Sequence, residues 1–172
     1  MKTPLLSSSS TTRAAATVLL HLVFLITAGP YKFLGMFEEA APSTVAVFRA
    51  LLPYTQKLIH VRWSGEGMWI PLGAQDFQVP FENHTSHSSA GQLLLYPGGF
   101  SETDFLFCYG GVHFASKMGT LAANHCLTVT EGMEDLRALG EMVLWKGTQD
   151  VRFEIADQGM ISEFRASRRS KL

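Results

Sequence analysis

The sequence predicts a mainly β protein, a closed or nearly closed β-barrel with two flanking α-helices. Three observations carry that expectation. Short runs of branched and aromatic residues follow one another along the 172-residue chain. Gly, Ser and Pro turns separate them, and only two stretches repeat their apolar residues at helical spacing. Many strands with few helices close on themselves rather than alternate as a βαβ sheet.

The composition allows such a core, with 47% of residues hydrophobic and 17% charged. It excludes a disordered chain. Fourteen Lys and Arg against 15 Asp and Glu leave a net charge of −1, which argues against a nucleic-acid surface with its basic excess. Two cysteines, Cys108 and Cys126, are too few for a disulfide framework and point to a reducing setting.

Taken in order, residues 1–13 read as a disordered lead-in, 14–158 as the barrel domain and 159–172 as a C-terminal tail. The apolar stretch 14–28 is shorter than the ~20 residues a membrane helix needs. A strand over 18–26 and a cleaved secretory signal are the two readings of it. Val23, Phe24 and Leu25 favour the strand, and Ile26 stands where a cleavage site wants a small residue. Ala28-Gly29-Pro30 turns the chain into a strand over 31–38, with Phe33 and Phe37 on one face. Pro42 opens a helix, where its missing N–H costs nothing, and Val45, Phe48 and Leu52 form the core face until Pro53. Strands follow over 57–63, 68–72, 93–96, 105–109 and 127–130. A second helix starts near Glu131, with acidic residues in its first turn and Met133, Leu136 and Leu139 as its stripe. The alternating run 151–155 is the last strand.

The segment 37–51 resembles the strand-to-helix entry of the cyclophilins, with Pro42, Thr44, Phe48, Arg49, Ala50 and Leu51 at matching positions. Val129-Thr130-Glu131-Gly132-Met133 resembles the run into that family's second helix, and 153–159 its terminal strand. More closely, 90–99, Phe81-Glu82-Asn83-His84-Thr85 and 145–154 resemble small bacterial cyclophilin-like proteins of unknown function. The resemblance implies a cyclophilin-like barrel with a pocket and no established activity. Prolyl isomerases of the fold set an arginine against the prolyl nitrogen beside an apolar slot. Arg62 and Phe105-Leu106-Phe107 stand near those positions, but the family's Gln-Gly-Gly-Asp segment has no counterpart in 64–73.

The candidate site is built on three groups. His60 and Arg62 are expected on one strand face, where the planar guanidinium can clamp a carboxylate. Trp63, Glu66 and Trp69 surround a Gly-rich hairpin as an aromatic wall with one acid. Glu82, Asn83 and His84, with His87 nearby, form the densest polar cluster, and Glu82 and Asn83 are expected to meet Arg62 in one pocket. The histidines lack diagnostic metal spacing, so no metal and no cofactor is expected. Glu102 and Asp104 form an unspecific carboxylate pair, and Cys108 reads as a buried thiol. Phosphate-loop and nucleophile-elbow signatures are absent from the sequence.

The resulting expectation is a barrel that binds a small polar or carboxylate-bearing molecule in a pocket at one barrel end, in amide or amino-acid metabolism by fold analogy. A peptidyl-prolyl isomerase and a structural oligomer subunit are the alternatives, and catalysis is left open. A small-molecule ligand is the expected partner, with no nucleic acid and no membrane, and a homo-oligomer is left open. The terminal Ser170-Lys171-Leu172 reads as a peroxisomal address in a eukaryote, against a cytoplasmic setting in a bacterium, with secretion less favoured.

Overall fold

The structure, a computed structural model, describes residues 22–169. The lead-in, positions 14–21 and the terminal tripeptide lie outside these residues. Gly29, at φ +53°, reverses the chain between β1 (Val23–Ala28) and β2 (Tyr31–Phe37). This left-handed backbone carries no Cβ penalty in glycine. β1 lies between β2 and β12 (Gln149–Ile155), both antiparallel. The first strand, expected over 18–26, is thus a central strand as far as the described residues reach.

From β2 the chain enters α1 (Pro42–Leu51), then β3 (Tyr54–His60) and β4 (Gly65–Gly73). The two-residue strands β5 (His84–Thr85) and β6 (His87–Ser88) precede β7 (Gln92–Tyr96) and the long β8 (Thr103–His113). A small hairpin, β9 (Ala115–Ser116) with β10 (Gly119–Thr120), leads to β11 (Ala123–Glu131). α2 (Leu136–Lys146), β12 and α3 (Gln158–Arg169) complete the described chain. Among the described residues, eight strands run in the order β2-β1-β12-β3-β4-β8-β7-β11, and β11 returns to β2. The ring is closed, which leaves no open sheet edge.

Alternation along the strands fills the interior with Phe24, Ile26, Phe33, Phe37, Met68, Ile70, Phe105, Phe107 and Phe153. α1 closes one end with Phe48, whose ring lies 5.2–6.3 Å from Phe37, Tyr54, Phe105 and Phe153. Each such ring pair adds about 0.5–1.5 kcal/mol beyond its burial. α2 lies at the opposite end, with Leu136, Leu139 and Val143 buried. The registers fix these ends: β2 reaches α1 at its C-terminus, and β11, antiparallel to it, reaches α2 at its own.

The outer face of the barrel is covered in two places, and this hides the inside–outside alternation. Leu94, Tyr96, Leu106 and Cys108 point outward under Phe114 and Leu121. Leu25 and Leu34 point outward under Ile161 and Phe164 of α3. The stretch expected as a tail therefore carries a third helix. Ion pairs from Arg165 to Glu131 and from Arg168 to Glu134 and Asp135 hold it across the end of β11.

Two further expectations are corrected. Met133 lies in a 3₁₀ turn before α2 and is exposed, not in the helix stripe. β3 ends at His60, so His60 and Arg62 do not share a strand face. Val61 N–H donates to Gly67 O at 3.1 Å and Ser64 N–H to Val61 O at 2.9 Å, closing a 3₁₀ turn over Arg62–Ser64. Gly65 follows at φ +112°, where a Cβ would meet the Gly111 carbonyl oxygen at 2.7 Å. Among the described residues, no helix is long and apolar enough to cross a membrane.

Candidate functional site

The eight residues singled out in the sequence fall into three places. Arg62 and His60 lie at the α2 end of the barrel, and Glu82, Asn83 and His84 at the α1 end, where His84 pairs with Asn124 at the start of β11. The seven residues of β12 span the barrel between these ends, a separation of roughly 20 Å at strand rise. The single shared pocket is not formed. Its physical reason is strand direction: β3 leaves α1 and ends at His60 on the α2 side, whereas β11 starts at Ala123 on the α1 side.

Trp63 and Trp69 form a wall on the outer face, their rings edge to face at 5.6 Å and 83°. Trp63 is 60% exposed and is tied down by its Nε1–H, which donates to Ala115 O at 3.0 Å. With Val61, Phe114 and Leu121 the two tryptophans line a cavity of about 440 Å³, whose polar lining is Ser101, Glu102, Asp104, Ser116 and Lys117. The acid of this wall is Asp104, not Glu66. Asp104 is 2% exposed, and burial, reinforced by the Glu102 charge, pushes its carboxyl well above the usual range. Its Oδ1 and the Nε1–H of Trp69 are both buried without a hydrogen-bond partner. Pairing of Trp69 with Leu106 and of Pro71 with Asp104 makes these two side chains diagonal neighbours on the outer face. The wall thus holds one unused donor and one unused acceptor in an apolar cavity.

At the α2 end, His60, Arg62, Glu66, Tyr109, Arg137, Glu141, Leu144 and Trp145 line a second cavity of about 370 Å³. His60 Nε2 and Tyr109 Oη share a hydrogen bond of 2.8 Å, while His60 Nδ1 is buried without a partner. Burial, then the Arg62 charge, lowers the His60 pKa, so its ring is neutral at pH 7. Glu66 accepts from Arg137 at 2.8 Å and from the Gly111 N–H at 3.2 Å, and these bonds lower its pKa. Gly110 makes room for it, since a Cβ there would lie 1.9 Å from its Oε2.

The third group is a brace at the α1 end. Ala41 gives α1 no side-chain cap, and Glu82 Oε1 instead accepts the Thr44 N–H of its first turn at 2.6 Å. Asn83, in a left-handed conformation at φ +44°, donates from Nδ2 to His125 O at 2.9 Å. The His84 ring packs 5.6 Å from Phe81. Among the described residues, no three His, Cys, Asp or Glu are placed to hold a metal ion. Cys108 and Cys126 are buried and free, and burial pushes the Cys108 thiol up to about 12.

Sequence reasoning took Asp104 only as half of an unspecific carboxylate pair and passed over Tyr109, Arg137 and Trp145. One signal was available for Asp104: an acid directly before the unbroken apolar run Phe105-Leu106-Phe107-Cys108. A carboxylate in such a place is desolvated wherever the sheet is covered on both faces.

The chain belongs to a family of unknown function, DUF3830, which it matches over residues 26–155. No curated protein matches it. Solved structures that share its fold include the following two. McbB, determined in complex with tryptophan, has a TM-score of 0.59 and 16% identity over 78% of this chain and 45% of McbB. The chain thus spans less than half the length of that protein. The hypothetical protein AF2241 from Archaeoglobus fulgidus has a TM-score of 0.51 and 16% identity, over 80% of this chain and 96% of its own.

Proposed function

We propose that this DUF3830 chain is a cyclophilin-like barrel that binds a small neutral molecule with an aromatic or apolar body and an amide-like group in its outer-face pocket. The carrying observation is the pair of unpartnered buried atoms in one wall, Asp104 Oδ1 and Trp69 Nε1–H. An unsatisfied buried polar group costs about 1–3 kcal/mol, so native structures leave few of them, and a ligand that pairs both recovers that cost. An amide offers a donor and an acceptor side by side, while Trp63, Trp69, Phe114 and Leu121 suit its apolar body. Burial raises the Asp104 pKa, and the Glu102 carboxyl at the rim adds a second acidic group, so a neutral ligand suits the pocket better than a carboxylate. The cyclophilin-like assignment rests on the closed eight-stranded antiparallel ring with a helix at each end, together with the ordered sequence resemblances. The isomerase reading is weaker, because Arg62, its required arginine, lines the other cavity.

McbB, part of which shares this fold, was determined in complex with tryptophan, which makes a neutral tryptophan derivative a suitable first probe. N-acetyl-L-tryptophanamide should raise the melting temperature of the wild-type chain. Trp69→Phe, which removes the N–H together with part of the indole ring, and Asp104→Leu should each weaken its binding at least tenfold by calorimetry. Equal affinity in both variants, or no binding at millimolar probe, excludes this reading.

A further inference from the structure

The cavity at the α2 end contains two charged groups that the fold does not use. Glu66 and Arg137 neutralise each other at 2.8 Å. Arg62 and Glu141, one positive and one negative, have no hydrogen bond or ion pair to any described residue, and both line the cavity. Tyr109 feels the charges of both, which puts the two groups within electrostatic reach of its hydroxyl. The hydrogen-bonded His60–Tyr109 pair lines the same cavity. Trp145, 77% exposed, and Leu144 supply an apolar wall.

The surrounding sequence is shaped to hold this arrangement. A Cβ at Gly140 of α2 would lie 2.3 Å from the Tyr109 ring, so only glycine lets the ring lie flat against the helix and reach His60. The His60 tautomer then matters. In the tautomer with the proton on Nε2, Nε2–H donates to the Tyr109 oxygen and the phenol proton serves a ligand acceptor, and a bound carboxylate selects that tautomer. The cavity as a whole therefore presents a guanidinium fork, a hydroxyl donor, a carboxylate and an indole face, with net charge near zero. A simple anion complements only one of these charges.

We propose that the α2-end cavity is a second ligand site, distinct from the outer-face pocket, and that it takes a free α-amino acid with an apolar side chain. The ligand carboxylate lies on Arg62 and the Tyr109 hydroxyl, its ammonium group on Glu141, and its side chain on Trp145 and Leu144. The planar fork of arginine suits a carboxylate bidentately, and the ammonium–Glu141 contact keeps the complex neutral.

The chain has three tryptophans, so its three indole N–H signals in a ¹⁵N-labelled spectrum report the two cavities separately. L-phenylalanine is the probe, with 3-phenylpropionate and phenethylamine as versions lacking the ammonium or the carboxylate. The expected result is a saturable shift of the Trp145 signal by L-phenylalanine, with both truncated probes at least tenfold weaker. Arg62→Gln and Glu141→Gln, both at exposed positions, should each weaken L-phenylalanine at least tenfold while the spectrum stays dispersed. The proposal fails if phenylpropionate binds as well as phenylalanine, if either variant binds with wild-type affinity, or if the Trp145 signal does not move at 10 mM. It also fails if the Trp63 and Trp69 signals move instead, because that places the amino acid in the outer-face pocket.

Discussion

Asn124 and Asp104 are both buried polar side chains near the ends of barrel strands, 0% and 2% exposed, yet their surroundings are opposite. Asn124 uses its amide fully. Its Nδ2 donates to Thr44 Oγ1 at 3.0 Å and to Pro80 O at 2.8 Å, and its Oδ1 accepts the Glu82 N–H at 3.0 Å. Together with Glu82 on the Thr44 N–H, it ties α1, the 80–83 loop and β11 into one piece. Asp104 leaves Oδ1 without a partner, beside a tryptophan N–H in the same condition. The difference teaches how to separate the two kinds of buried polarity. A saturated network holds the fold and offers nothing to a ligand, whereas an unsaturated one lowers stability and keeps its hydrogen bonds available.

Substitutions should break this contrast in order of size. Asn124→Ala strands three partners inside the protein at once and should cost about 3 kcal/mol, a fall in Tm of roughly 6–12 °C for a chain of this length. A calorimetric scan checks it, and a change below 2 °C would show that the network does not brace the fold. Glu82→Ala removes the cap that α1 lacks locally and should cost about 1–2 kcal/mol by urea titration. A neutral effect on stability, with ligand binding lost instead, would return Glu82 to the role its sequence context implied.

Asp104→Asn should change the way stability depends on pH, and the sign of that change follows from linkage. The folded state holds the Asp104 proton above the pH at which the unfolded chain has released it. Wild-type stability therefore falls as pH rises above about 4 and through the folded-state pKa. Asparagine does not titrate. Relative to wild type, the variant should thus gain stability as pH rises from about 4.5 until the folded-state pKa is passed, in parallel urea titrations. A constant difference across that range would mean that Asp104 is ionised in the folded protein throughout.

The legible and illegible parts of the molecule divide along the same physical line. Short-range signals were readable: the Gly29 turn, Pro42 at the head of α1, and the placement of Phe33, Phe37 and Phe48 in the core all follow from local pattern. Long-range pairings were not. Nothing in the sequence places Glu82 on an N–H 38 positions earlier, or separates Arg62 from Glu82 by the length of the barrel. α3 escaped notice because its apolar contribution to the core is only Ile161 and Phe164 among many charges, too thin a stripe to mark a helix. Asp104 was visible as an acid but its burial was not, because both faces of β8 are covered and an unbroken apolar strand carries no period that singles out the outward side chain. Arg62 was set on a strand that stops two residues earlier, and the 3₁₀ turn there sends Arg62 and Trp63 to different cavities.

The most direct test of the contrast is the indole N–H spectrum during titration with N-acetyl-L-tryptophanamide, unlabelled against the ¹⁵N-labelled chain. The account predicts that the Trp69 Nε1–H signal moves downfield as its unpaired donor gains an acceptor, that Trp63 moves with it, and that Trp145 stays in place. A Trp69 signal that does not move while the probe is bound would contradict the assignment of the outer-face pocket as the site.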